Sequence, residues 1–141
     1  MTMPPNHNGE EFNRGLDLFN RAHFFDAHEV LEDVWRSVPG DQPLRLHLQG
    51  VVQLAVAFHH ESTGNLVGAR SVLERALGNL NGAEHTLPNV DLERLRADLT
   101  PWRRYLEGQQ TTANAAGNAS AEVQAIRATR PPALPKITLR R

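Results

Sequence analysis

The chain has 141 residues, 40% of them hydrophobic, no cysteine and a formal net charge of −1. That length suits one domain with a single core, and the missing thiols exclude a disulfide framework and thiolate catalysis, which fits a reducing compartment. The charge is uneven: residues 1–110 hold 10 Arg against 15 Asp or Glu, net −5, and residues 111–141 hold 5 Lys or Arg against 1 Glu, net +4, an acidic body that argues against a broad nucleic-acid face.

The opening "MTMPPNHNGEE" has no basic stretch followed by an apolar one, so no signal peptide is expected and residues 1–9 read as a flexible N-terminus. Phe12, Leu16 and Phe19 recur at i, i+4 and i+7, which predicts helix 1 over about 10–21. Helix 2 is expected from about 26 to 37, with Phe24, Ala27, Leu31, Val34 and Trp35 on one face and "PGDQP" closing it. Asp26 followed by Glu29 reads as a capping box at its start.

Pro43 suits the first turn of helix 3, which continues to about Ser62 before the tight turn "TGN". Its run "LQGVVQLAVAF" is too short to span a membrane and carries two glutamines. Helix 4 follows from Leu66 to about Leu80. Asp91 is placed to cap helix 5, and Thr100-Pro101 is expected to kink or restart it. Residues 109–120 are low in complexity and read as a flexible linker. "PKITLRR" alternates like a strand without a sheet to join, so an extended arm lying on the bundle is expected. The basic tail is expected to touch its own acidic body in preference to an outside acidic partner.

"FFDAHEVLEDV" and "LVGARSVLERA" align at a spacing of 42, which suggests tetratricopeptide-like hairpins closed by helix 5. The expectation is therefore an all-α, compact bundle of about five helices built from antiparallel hairpins, spanning 10–108, with the linker and basic arm in 109–141. A cytoplasmic location is expected.

The chemistry centres on "DAHEVLEDVW". A zinc-protease helix would place a second histidine four residues after His28, but Glu32 stands there. His28 and Glu32 are i,i+4 neighbours able to touch, beside Trp35 at the edge of the buried face, with Glu29 toward solvent. Helix 3 is apolar on nearly every side, so it should be central. Its polar side chains Gln49, Gln53 and His60 fall in one line and need partners, because an unpaired buried amide costs on the order of 1–3 kcal/mol. The simplest arrangement packs that line against His28, Glu32 and Trp35. Such a cluster could be a hydrogen-bond network, a weak divalent transition-metal site on His28, Glu32 and His60, or an acid/base centre using His28, Glu29, Glu32 and His60.

The stretches "FFDAHEVLEDVWR" and "LQGVVQLAVAFHHESTGNLVGA" together resemble the bacterial and archaeal family catalogued as domain of unknown function 309. The resemblance covers about residues 11–82. It implies a small all-helical domain with a signature at Ala27, His28, Glu29, Glu32, Trp35, Gln49, Gly50, Gln53, His60, Gly64, Asn65 and Gly68, and no assigned activity. Either His59 or His60 fills the histidine position, and helical spacing favours His60. Two readings of function stand: a non-catalytic module that binds a protein or peptide, itself included, or a metal-assisted hydrolase or acid/base enzyme. Nucleic-acid binding through the tail is a lesser third.

Overall fold

The computed structural model describes residues 7–114 and 129–140. Five α-helices carry the described chain: α1 (His7–Asn20), α2 (Phe24–Arg36), α3 (Pro43–Ser62), α4 (Leu66–Asn79) and α5 (Leu92–Asn114), with one 3₁₀ turn at Ala83–His85. The all-helical expectation holds. α3 is the centre: α2 packs on one side of it and α4 on the other, while α1 lies on α2 and α5 on α4.

The aromatic residues lock the middle. Phe19, Phe24 and Phe58 bring α1, α2 and α3 together with ring centroids 5.2–6.2 Å apart, and Trp102 of α5 meets Phe58 edge to face at 5.1 Å. Edge-to-face pairs of this kind add roughly 0.5–1.5 kcal/mol to their area burial. On the other side of α3, Gly50 lets α4 approach closely. A Cβ there would stand 2.9 Å from Leu80 Cγ and 3.1 Å from the Ala76 carbonyl oxygen.

Helix boundaries differ from the sequence reading where local turns compete with propensity. α1 ends in a Schellman-type turn, His23 N–H donating to Leu18 O and Ala22 N–H to Phe19 O, both at 2.9 Å. Ala22 takes the left-handed conformation this requires, with φ +66°. The turn delivers Phe24 straight into the aromatic core, so α2 starts there, two residues before the expected site. Asp26 is thus inside the first turn and not the N-cap; His23 is the N-cap and makes no side-chain capping bond.

Asp91 does cap α5, its Oδ1 accepting from Arg94 N–H at 3.1 Å. The helix is continuous through Pro101, so it does not restart there, which was one of the two expectations. Pro101 has no N–H to donate to the preceding turn, and the neighbouring Thr100 hydroxyl donates to Arg96 O at 3.0 Å. α5 also continues to Asn114, so residues 109–114 are helical and not linker; residues 115–120 of that expected linker lie outside the described residues.

The C-terminal arm lies extended across the bundle. Ile137 is buried, and the Asn20 side chain pairs with its backbone on both sides, accepting from Ile137 N–H at 2.8 Å and donating to Ile137 O at 2.9 Å. Val90 and Leu139 form an isolated antiparallel bridge. One of the arm's charges meets the body's, as expected: Arg130 pairs with Glu61, while the Lys136 ammonium donates to Asn20 O at 2.6 Å and its backbone N–H to Asp98 at 3.3 Å.

One buried histidine escaped the sequence reading. His47 Nδ1 lies 2.6 Å from Thr86 Oγ1, tying α3 to the turn after the 3₁₀ segment. Burial pushes its pKa down, with the Asn81 backbone and Glu84 pulling weakly the other way. A depressed histidine stabilises the fold above the ordinary value of about 6.5 and ceases to do so as the pH falls through its folded value. Denaturation midpoints between pH 7 and 5.5 should therefore fall more steeply for the native chain than for His47→Gln. Equal slopes would remove His47 as the cause.

Candidate functional site

α2 presents one outward strip. Its hydrophobic face carries Phe24, Ala27, Val30, Leu31 and Val34 into the core, which leaves Phe25, His28, Glu29 and Glu32 outward and Trp35 on the margin. His28 Nε2 is 2.8 Å from Glu32 Oε2, and the same carboxylate takes Arg36 on its other oxygen. The expected i,i+4 contact is present. Glu32 is thus contacted from both sides by residues of its own helix.

The other wall differs from the expectation. Gln53 Oε1 accepts from Asn79 Nδ2 at 2.7 Å, so it serves the α3–α4 seam. His60 Nδ1 faces Asn65 Nδ2 at 3.3 Å, on the turn into α4. The histidine that stands near α2 is His59, whose ring lies 5.6 Å from Phe25, itself 6.2 Å from His28. On the same side of α3, four turns earlier, the Arg45 guanidinium covers the Trp35 ring at 4.3 Å. Gln49, four residues after Arg45, falls on that row by helical spacing. The line Gln49–Gln53–His60 therefore splits between two neighbours, and the single polar cluster is not assembled. The three residues lie within about 40° of one another around α3, so the boundary between the ground covered by α2 and that covered by α4 runs through their arc.

The metal reading fails on the same geometry. His28 and Glu32 are together, but His60 is turned to Asn65. Among the described residues no group of three or more His, Asp or Glu side chains is gathered so as to hold a metal ion.

The signature residues now separate by what they touch. Asn65 caps α4, its Oδ1 accepting from Gly68 N–H at 3.0 Å while its amide meets His60. Gly68 leaves room for that cap, since a Cβ there would stand 2.4 Å from Asn65 Nδ2. Gly50 and Gln53 serve the α3–α4 contact, and Ala27 is in the core. His28, Glu29 and Glu32 have no such duty to another helix among these contacts, and they share the outer face of α2 with the half-exposed Phe25 (53%). Beside Phe25, the α1–α2 turn and the end of α3 enclose an open hollow of about 340 Å³ lined by His23, Phe25, Asp26, His59 and Ser62. Phe25 and Ser62 were missed in the sequence, where His59 stood only as the less favoured alternative to His60. Phe25 breaks the apolar periodicity of α2, which was the available signal.

The family model described as "Domain of unknown function (DUF309)" matches residues 12–72, as the signature led us to expect. The match runs from Phe12 of α1 through α2 and α3 into α4, and leaves α5 and the arm outside it. The segment is similar, at 29% identity over 70 residues, to the "Uncharacterized protein YpuF" of Bacillus subtilis (strain 168), covering 50% of this chain and 40% of that one. It is also 27% identical over 81 residues to an "Uncharacterized protein" of Aquifex aeolicus (strain VF5), covering 57% of this chain and 24% of that one. The aligned region spans less than half of either relative.

The split of the polar line sets a measurable expectation. A double-mutant cycle on Gln53→Ala and Asn79→Ala should give a coupling of about 0.5–3 kcal/mol. The cycle on His28→Ala and Gln53→Ala should be additive within roughly 0.5 kcal/mol. The reverse pattern in chemical denaturation would restore the single cluster.

Proposed function

We propose that the domain is a protein-interaction module whose outer α2 face takes a basic segment of a partner protein. The observation that carries this reading is Phe25, a large aromatic left 53% exposed within a helix whose outward residues include Asp26, Glu29, Glu32 and Asp33. An exposed aromatic beside a hollow is the kind of anchor that dominates interface energies when water is excluded around it. The four carboxylates set the partner's sign: they are offset on α2 by Arg36 alone, so a cationic segment is attracted and an acidic one repelled. The His28–Glu32–Arg36 chain holds its side chains in place beforehand, which reduces the ordering cost of binding.

The acid/base alternative draws on the 2.8 Å contact of His28 with Glu32. It lacks the third member that the sequence offered, because His60 faces Asn65.

The test uses a labelled amphipathic peptide with Lys and Arg along one face, followed by fluorescence anisotropy. Phe25→Ala should weaken binding about ten-fold, equivalent to ~1.4 kcal/mol, and Glu29→Lys with Asp33→Lys should abolish it. An acidic peptide of the same apolar pattern should not bind. Binding indifferent to Phe25→Ala, or equal for both peptides, would overturn the assignment of this face. Turnover of an ester or phosphoester lost on His28→Ala would favour the enzyme instead.

A further inference from the structure

The hollow beside Phe25 combines ring surface with oxygen acceptors. Its walls come from His23 in the turn between α1 and α2, Phe25 and Asp26 at the start of α2, and His59 and Ser62 at the end of α3. The Phe25 and His59 rings stand 5.6 Å apart with their planes inclined by 56°, an angled aromatic wall. The Asp26 side chain is 65% exposed, and the cationic partner nearest to it is the His23 imidazole, 4.0 Å away. Ser62 spends its hydroxyl proton on His59 O at 2.7 Å, which leaves the oxygen's lone pairs free to accept.

The sign of the hollow follows from its helix ends. α3 finishes at Ser62, and the last carbonyls of a helix carry partial negative charge. The opposing positive start of α2 is offset by Asp26 in its first turn. Among the described residues, no guanidinium or ammonium of this chain lies over the Phe25 ring. Elsewhere the molecule joins a ring and an oxygen acceptor through arginine. Arg45 covers Trp35 at 4.3 Å while its Nη1 donates to Val38 O at 2.7 Å. Arg130 stands 4.9 Å from the Trp102 centroid and donates to both Glu61 oxygens, at 2.9 and 3.0 Å. The hollow has the same parts without the arginine.

On the reading that the outer α2 face seats a basic segment, which this inference requires, we propose that the hollow is the specificity pocket of that face and takes one arginine side chain of the partner. The guanidinium lies against the rings of Phe25 and His59, and its N–H groups turn to Asp26 and Ser62. A planar, weakly hydrated guanidinium stacks on a ring and keeps its donors in the ring's own plane, whereas a lysine ammonium is a compact and strongly hydrated charge. An aliphatic occupant would take water from the carboxylate and the hydroxyl and return no hydrogen bond. The segment is therefore selected by one residue and only attracted by the rest of its charge.

The test uses the full chain and labelled amphipathic peptides, followed by fluorescence anisotropy. The parent peptide carries lysine at every basic position, and each lysine in turn is replaced by arginine or by leucine. Arginine at one position should raise the affinity about ten-fold, and at the other positions it should change little. Phe25→Leu keeps an apolar group and removes the ring, and Asp26→Asn removes the charge. Either variant should bring the favoured arginine peptide down to the level of its lysine parent. Both side chains are more than half exposed, so neither change threatens the fold, which circular dichroism checks. Equal binding of the arginine and lysine peptides, or a preference that survives both variants, would refute the pocket and leave the basic-segment reading standing. A gain spread evenly over all positions would also refute a single seat. Leucine binding as well as arginine at the favoured position would hand the hollow to an apolar side chain. Failure of every peptide to bind would remove the basic-segment reading, and the pocket with it.

Discussion

α3 constrains everything else in the molecule. A helix of 20 residues with apolar groups around nearly its whole circumference cannot lie at a surface, so the other elements must cover it. α2 and α4 take its two long sides, and Trp102 of α5 closes on Phe58 from a third. Because the cover comes from several directions, each polar residue on α3 is answered by whichever neighbour lies over it. Gln53 is answered by α4, His47 by the turn at Thr86, Glu61 by the arm, and His59 is left beside Phe25 of α2. Four polar side chains on one helix thus have four different partners, and each partner fixes a different part of the chain against the core.

That distribution explains what the sequence could and could not disclose. The helix count, the central place of α3, the bounds of α3 and the cap at Asp91 are set by local signals: periodicity, proline at N1 and a carboxylate before a helical run. They were legible. The partner of each polar group is set by the angle at which two helices cross, and no local signal carries that angle. Gln49, Gln53 and His60 fall within a narrow arc on a helical wheel, yet α4 lies so close over Gly50 that the boundary between its territory and that of α2 runs through the arc. The choice between His59 and His60 failed to identify the histidine near α2 for the same reason. A wheel gives direction from the axis and says nothing of which neighbour occupies that direction.

The family signature gains meaning from the same partition. Gly50, Gln53, His60, Asn65 and Gly68 all serve the close approach of α4 and the turn leading into it. Those positions describe how a helical pair is held, so their presence in a relative speaks for the fold. His28, Glu29 and Glu32 face outward, and the contacts that fix two of them are made within α2 itself. A surface ion pair in that setting contributes little to stability, typically 0–1 kcal/mol.

The arm shows how a charge imbalance becomes a specific structure. Composition alone separates an acidic body from a basic tail, and generic attraction between them would leave the tail in many poses of similar energy, since exposed pairs are individually weak. One feature breaks that degeneracy: Glu61, 6% exposed with the arm seated, receives two parallel donors from Arg130. Once Arg130 is seated, the spacing of the arm places Ala133 over the Trp102 indole and Ile137 within reach of Asn20. Each of those contacts uses main-chain groups, which any sequence supplies, so register comes from the arginine and the buried isoleucine at the two ends. A segment fixed by two side chains and a row of backbone bonds is recognised in the way a peptide ligand is recognised.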